Sequence, residues 1–373
     1  MSYTNLIGHR TMIFDDHRNS LYAQALRQFI TPDSIVLDLG AGLGIHGLLA
    51  ASMGAKKVYL VEPHTDLQLA AEVAKDNALE DCVECFQGAI EEINLPQKVD
   101  VIISVFTGNF LLEEDLLPSL LYARDHFLKP GGRLLPDCAV MKVAPISMPE
   151  QFTKQIEQWS KRSQGIDFKI LRSYAANNVF RDNYREAEFE FLADPMELCE
   201  LDFLHVQVAE CKQKIRFKVN KDGLCHGFMG WFKARLGDHW LSTSPTAVKT
   251  HWRQVYLPLD PPLMLKNGEE LELELHRPEF GEWSWLTGHA GKLQKHSTFL
   301  SEPITPSKLQ KKAGHHKALL NEKGRAASAI LGLLRGELST DEISARISNS
   351  FPDLFPDNQY AKRFVLKLID RFT

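Results

Sequence analysis

Between residues 31 and 137 the hydrophobic pattern repeats one unit, a short apolar run followed by a longer stretch with helical spacing. The apolar runs lie near 35–39, 57–61, 82–86 and 99–104. Short and rich in β-branched residues, they predict strands buried on both faces. Helices are expected from Ile45 to Met53, around 66–78 and around 115–127, and Lys129 to Pro136 reads as a turn into a further strand. Such alternation predicts a mostly parallel, doubly wound α/β sheet. Residues 1–30 space Ile13, Leu21, Leu26 and Phe29 as one or two helices that precede the first strand.

From about residue 138 the period changes. Alternating runs at Ala187–Leu192, Lys214–Val219 and Leu271–Leu275 are separated by the turn signals Lys221-Asp222-Gly223 and Lys266-Asn267-Gly268. They predict an antiparallel β-barrel domain over 138–305, interrupted near 148–170 by a polar helical insertion. Residues 306–325 carry eight basic or histidine side chains and read as a solvated basic linker. Ala326–Leu334, Ser339–Ile347 and Asn358–Arg371 then show helical periodicity, so 326–373 is expected to form a small helical domain. Thr340 to Glu342 supplies its N-cap and first-turn chemistry.

The candidate chemistry sits where the first strand ends. Ile35-Val36-Leu37-Asp38-Leu39-Gly40-Ala41-Gly42-Leu43-Gly44 is an apolar strand running into a glycine turn, and the second strand ends on Glu62. A carboxylate there is where an open α/β sheet takes ribose hydroxyls. The D-x-G-x-G-x-G spacing differs from the G-x-G-x-x-G of dinucleotide folds and is the form used by S-adenosylmethionine enzymes. Charge and cysteine usage narrow the setting. A net charge of -5 argues against broad nucleic-acid affinity. Six scattered cysteines fit a reducing cytoplasm, no apolar run reaches the length of a membrane span, and no histidine cluster completes a metal site with Cys82 and Cys85.

Several separated segments together resemble the protein arginine methyltransferases over roughly residues 2–300. They are Met12 through Arg18, Val36 through Gly44, Val61-Glu62, Gly88-Ala89-Ile90-Glu91-Glu92, Leu241-Ser242-Thr243-Ser244-Pro245 and Thr250-His251-Trp252. The resemblance implies an S-adenosyl-L-methionine cofactor, S-adenosyl-L-homocysteine as product, and a class I, Rossmann-like fold with a dimerisation arm in the barrel. Arg18 would hold the cofactor's carboxylate, Asp38, Gly40 and Gly42 would line its methionine end, and Glu62 would take the ribose. Ile90 and Glu91 would border adenine, Met12 would pack near the methyl, and Tyr3 and His9 would close over the whole. His251 would pair with Asp15. A homodimer is implied, with a peptide, protein or small-molecule nitrogen as methyl acceptor. After Ala326 the helical segments are similar to small winged-helix peptide-binding domains of peptide-maturation pathways.

One position departs from the family's pattern. Its catalytic hairpin carries two glutamates that clamp the substrate guanidinium, the first directly after the serine of S-E-x-x-G. Here the text is Ser104-Val105-Phe106-Thr107-Gly108, with the second glutamate retained as Glu114 and Glu113 adjacent to it. Methyl transfer needs orientation more than acid–base work, so the loss bears on which nucleophile is accepted. The expectation is an N-methyltransferase acting on arginine or another nitrogen, the alternative a cofactor-binding regulator or pseudoenzyme.

Overall fold

The computed structural model describes residues 6–373. The chain runs α1 (Leu6–Ile13), α2 (Asp16–Phe29), β1 (Ile35–Leu39), α3 (Ile45–Ser52), β2 (Lys57–Glu62), α4 (Leu67–Asp76), β3 (Val83–Gln87), β4 (Val99–Ser104), α5 (Leu117–Phe127) and β5 (Leu128–Leu135). These five strands form one sheet in the order β3-β2-β1-β4-β5, every pair parallel. All five residues of β1 are buried, which is why Ile35 to Leu39 is apolar throughout apart from Asp38. The order reverses between β1 and β4, the crevice where such sheets bind ligands.

The antiparallel part follows as β6 (Cys138–Ser147), α6 (Pro149–Gln155), β7 (Arg162–Ser163), β8 (Ile166–Asp167), α7 (Arg172–Ala175), β9 (Phe180–Asp182), β10 (Glu190–Phe191), β11 (Met196–Asp202), β12 (Cys211–Lys218), β13 (Gly223–Leu236), β14 (His239–Ser242), β15 (Gln254–Leu265), β16 (Glu270–Arg277), β17 (Ser284–His289) and β18 (Lys292–Ser297). The larger sheet runs β10-β6-β13-β15-β9, with β11 beside β6 and β14 beside β13, and the smaller runs β12-β16-β17-β18. The insertion between β6 and β9 holds α6, the β7–β8 hairpin and α7. Its neighbour, the alternating run Ala187–Leu192, is mostly not strand. A 3-10 turn takes Glu186–Glu188, its capping hydrogen bonds made with Arg185, and only Glu190–Phe191 pairs. A single core spans both parts, from Val36 and Ile102 in the parallel sheet to Phe232 and Trp285 in the barrel.

Residues 304–373 form a second unit. Thr305 caps α8 (Pro306–Lys312) and Asn321 caps α9 (Glu322–Leu333), so helix occupies both ends of the basic segment. In α10 (Thr340–Ser350) the capping residue is Ser339, in a reciprocal box with Glu342, one position before the expected one. With α11 (Asn358–Phe372), α9 and α10 enclose Ile330, Ile343, Ile347 and Val365. Among the described residues of this unit there is no strand, so the wing of the winged-helix likeness has no counterpart.

Candidate active site

The carboxyl ends of β1 to β4 open into a cavity of about 560 Å³. Asp38 of β1, Gly40, Gly42, Glu62 of β2, Ile90 and Glu91 line one part of it, with His9, Met12 and Arg18 contributed by α1 and α2. Val105, Phe106, Thr107, Glu114 and His251 line it too. Tyr3 lies outside the described residues.

Two carboxylates are fixed by backbone amides. Gly42 N–H donates to Glu62 Oε2 at 3.0 Å and His64 N–H to Oε1 at 3.1 Å, which leaves lone pairs for further donors. Gly42 adopts φ +53°, and a Cβ there would come within 2.9 Å of the His9 ring. Only glycine lets the histidine and the turn approach so closely. His9 Nε2 lies 2.9 Å from Asp66 Oδ2, which ties α1 to the start of α4. Asp38 accepts from Gly47 N–H at 2.7 Å. Burial, with Glu62 adding to it against that hydrogen bond, pushes its carboxyl up to about 7.

Around Arg18 the geometry is dense. Its guanidinium donates to Met12 O at 2.6 Å and to Asn19 Oδ1 at 2.9 and 3.0 Å, and the residue is 1% exposed. Asn19 Oδ1 also lies 3.2 Å from His46 Nε2. His46 stacks on Tyr22 at 4.1 Å, and burial drives its basicity far below the ordinary histidine range, so the ring is neutral beside the cation. Nothing in the apolar helix text around His46 signalled a site, and Asn19 is a polar neighbour of Arg18 with no motif of its own.

Asp15 does not line the cavity and acts through its partners. It caps α2 by accepting from Arg18 N–H at 3.0 Å, and its other oxygen meets His251 N–H at 2.8 Å and His251 Nδ1 at 2.9 Å. Burial alone would raise the Asp15 carboxyl, but these hydrogen bonds outweigh it and hold the group below its ordinary value. Burial lowers His251 as well, against the pull of Asp15. The next two residues reach the hairpin after β4. Trp252 Nε1 donates to Thr107 O at 2.8 Å and Arg253 N to Asn109 Oδ1 at 2.8 Å.

Glu113 and Glu114 separate cleanly. Glu114 lines the cavity, whereas Glu113 does not. Its carboxylate accepts three hydrogen bonds from Arg181, at 2.6, 2.9 and 3.1 Å, and one from Phe110 N–H at 3.2 Å. A carboxylate so engaged fastens the hairpin to β9, so of the two candidate glutamates only Glu114 faces the cavity. Among the described residues no group of three or more His, Cys, Asp or Glu is placed to hold a metal ion.

Residues 36–132 match the family described as a methyltransferase domain, and residues 137–280 match the arginine methyltransferase oligomerization subdomain. Protein arginine N-methyltransferase 6 of Xenopus tropicalis is 33% identical over 283 residues, 72% of this chain and 83% of that protein. The Danio rerio protein of the same name is 31% identical over 293 residues, 74% and 82% of the two chains. Among solved structures, the Trypanosoma brucei PRMT1 enzyme-prozyme heterotetrameric complex with AdoHcy aligns with a TM-score of 0.73 at 29% identity, covering 80% of this chain and 99% of that one. Arabidopsis thaliana protein arginine methyltransferase 10 aligns at 0.68 and 28%, covering 79% and 98%.

Proposed function

The chain belongs to the protein arginine methyltransferase family, and from that premise we propose an N-methyltransferase that engages its acceptor with one carboxylate, Glu114. It is an S-adenosylmethionine-dependent enzyme. The donor set fits that cofactor: an amide-fixed carboxylate at Glu62, a buried guanidinium at Arg18, and a glycine turn without side-chain bulk. Glu62 would hold the ribose hydroxyls, Arg18 the amino-acid carboxylate in a charge-assisted contact, and Ile90 and Glu91 the adenine. When bound, the cofactor supplies a methyl group on a positively charged sulfur. The chain's own task is to bring a nitrogen lone pair into line with that methyl and keep water out. Met12, Val105 and Phe106 give the cavity apolar wall, Glu114 gives the acceptor one charged hydrogen-bond partner, and His251 is held in place by Asp15.

The observation that carries this reading is Val105 and Glu114 lining one cavity while Glu113 is bound to Arg181. A buried guanidinium deprived of one of two carboxylates loses several kcal/mol of compensation. The pocket therefore suits a nucleophile needing a single charged contact: an amine, an imidazole, or a guanidino group presented through one nitrogen. Mass spectrometry of candidate acceptors incubated with labelled cofactor tests this. Methylated amine, imidazole or monomethylated guanidino products support it, and efficient methylation of both terminal nitrogens of arginine in Gly-Arg-rich peptides contradicts it.

The same reading makes the protein a homodimer through the insertion between β6 and β9, where Ile166, Phe168 and Ile170 are exposed apolar side chains. All six cysteines are free thiols, which supports a cytoplasmic setting.

A further inference from the structure

The hairpin after β4 ends in three consecutive acids, Glu113, Glu114 and Asp115, and the barrel treats them differently. Glu113, 5% exposed in its side chain, is gripped by Arg181 in the middle of β9. Asp115 Oδ1 accepts from Arg277 Nη2 at 2.6 Å, from the end of β16. The Arg277 side chain is 4% exposed and its guanidinium lies 5.6 Å from the Trp283 ring centroid, with Trp283 packed on the buried Phe110 of the same hairpin. The middle acid, Glu114, lines the cavity. The backbone between these anchors is unusual. Leu111 and Asp115 hold φ of 56° and 54°, conformations that non-glycine residues keep only where surroundings impose them. Gly108 faces the pair so closely that a Cβ would lie 2.9 Å from Glu113 Cβ and 3.0 Å from Glu114 Cγ.

We infer that Arg181 and Arg277 are positioning residues: by pairing with the two flanking acids they fix which carboxylate of the Glu113-Glu114-Asp115 run serves the methyl acceptor. This rests on Glu114 being the acceptor's carboxylate. Turned the other way, Glu113 would enter the cavity and Glu114 would face the barrel. A bidentate guanidinium grip is directional enough to forbid that. The pairs also shield Glu114 from two like charges in its own chain segment, which would otherwise disfavour its ionised form. Among the described residues, the remaining ionisable groups of the cavity wall are His9, Arg18, Asp38, His46, Glu62, His64, Glu91 and His251.

Carbon-detected titration of the full-length protein labelled at glutamate side-chain carboxyls tests the inference without needing an identified acceptor. The Glu114 resonance is assigned by its loss in Glu114→Gln. Arg181→Gln leaves an unpaired negative charge beside Glu114 and should raise its midpoint by about one pH unit. Glu113→Gln leaves an unpaired cation and should lower it, and the double variant should return it to near the wild-type value. Shifts of opposite sign distinguish charge placement from simple loosening of the hairpin. No movement in either single variant, or movement of the same sign in both, overturns the inference. A separate arm guards the premise: methyl transfer surviving in Glu114→Gln would remove Glu114 from the acceptor site, whereas its loss with an unmoved titration refutes the positioning role alone.

Discussion

Glu62 and Arg18 are each held from several sides before any ligand arrives, and that predicts how they fail. Glu62→Ala removes an acceptor from two backbone amides and, on the proposed reading, from the ribose hydroxyls, and Arg18→Ala removes the partner proposed for the cofactor's carboxylate. Each should weaken S-adenosylmethionine binding by one to two orders of magnitude, roughly 1–3 kcal/mol, measured by calorimetry on folded protein. Both line the cavity. Glu62 was singled out by its place at the end of the second strand, whereas Arg18 reads by spacing alone as half of a solvated helical pair and was singled out only through the family resemblance. His46 was not, since a histidine inside an apolar helix reads as core until its neighbours are known. Its effect is expected on stability. Burial holds it well below the ordinary histidine range, so as pH falls through about 6.5 the unfolded chain takes up a proton that the folded one refuses. Stability conferred by the neutral ring is present above that pH and lost below it, by up to about 1.4 kcal/mol per pH unit. His46→Phe keeps the stack on Tyr22 and should flatten the denaturation profile between pH 5 and 6.5 by that slope.

Elements were easier to read than their junctions. The largely apolar text of Ile35–Leu39 and Val99–Ser104, broken at Asp38 and Asp100, marks buried parallel strands because both faces are covered, and those strands form as expected. Run Ala187–Leu192 misled because alternation alone does not say whether a partner strand is available, and only Glu190–Phe191 finds one. The hairpin after β4 brings Glu114 to the cavity and has neither period. Its shape comes from Trp252, Arg253, Arg181 and Arg277, all distant in sequence. At this scale Asp15 is the joint, both cap of α2 and partner of His251. Asp15→Ala should cost about 1–2 kcal/mol by the cap alone, read as a lower thermal midpoint. It should also slow methyl transfer, because the loop carrying His251 loses its tie.

At the scale of the whole molecule, the matched family models end at residue 280, and a second unit begins at Ile304. That unit has its own apolar core, so removing 304–373 should leave S-adenosylmethionine affinity unchanged. If the unit docks a peptide, the same deletion abolishes methylation of that peptide; if the acceptor is a small molecule, turnover persists. Sedimentation at micromolar concentration should show a dimer, and a monomer with normal cofactor affinity would refute the assembly proposed for the insertion between β6 and β9. On the proposed reading, methyl transfer proceeds with Glu114 alone in the place of two carboxylates. Its most direct test is mass spectrometry of wild-type and Glu114→Gln protein, incubated with labelled cofactor and a panel of free arginine, amines, imidazoles and Gly-Arg-rich peptides. The wild type should give a methylated product that carries one nitrogen-bound methyl, and Glu114→Gln should give none. Dimethylated arginine peptides as the main wild-type product, or undiminished turnover in Glu114→Gln, would contradict it.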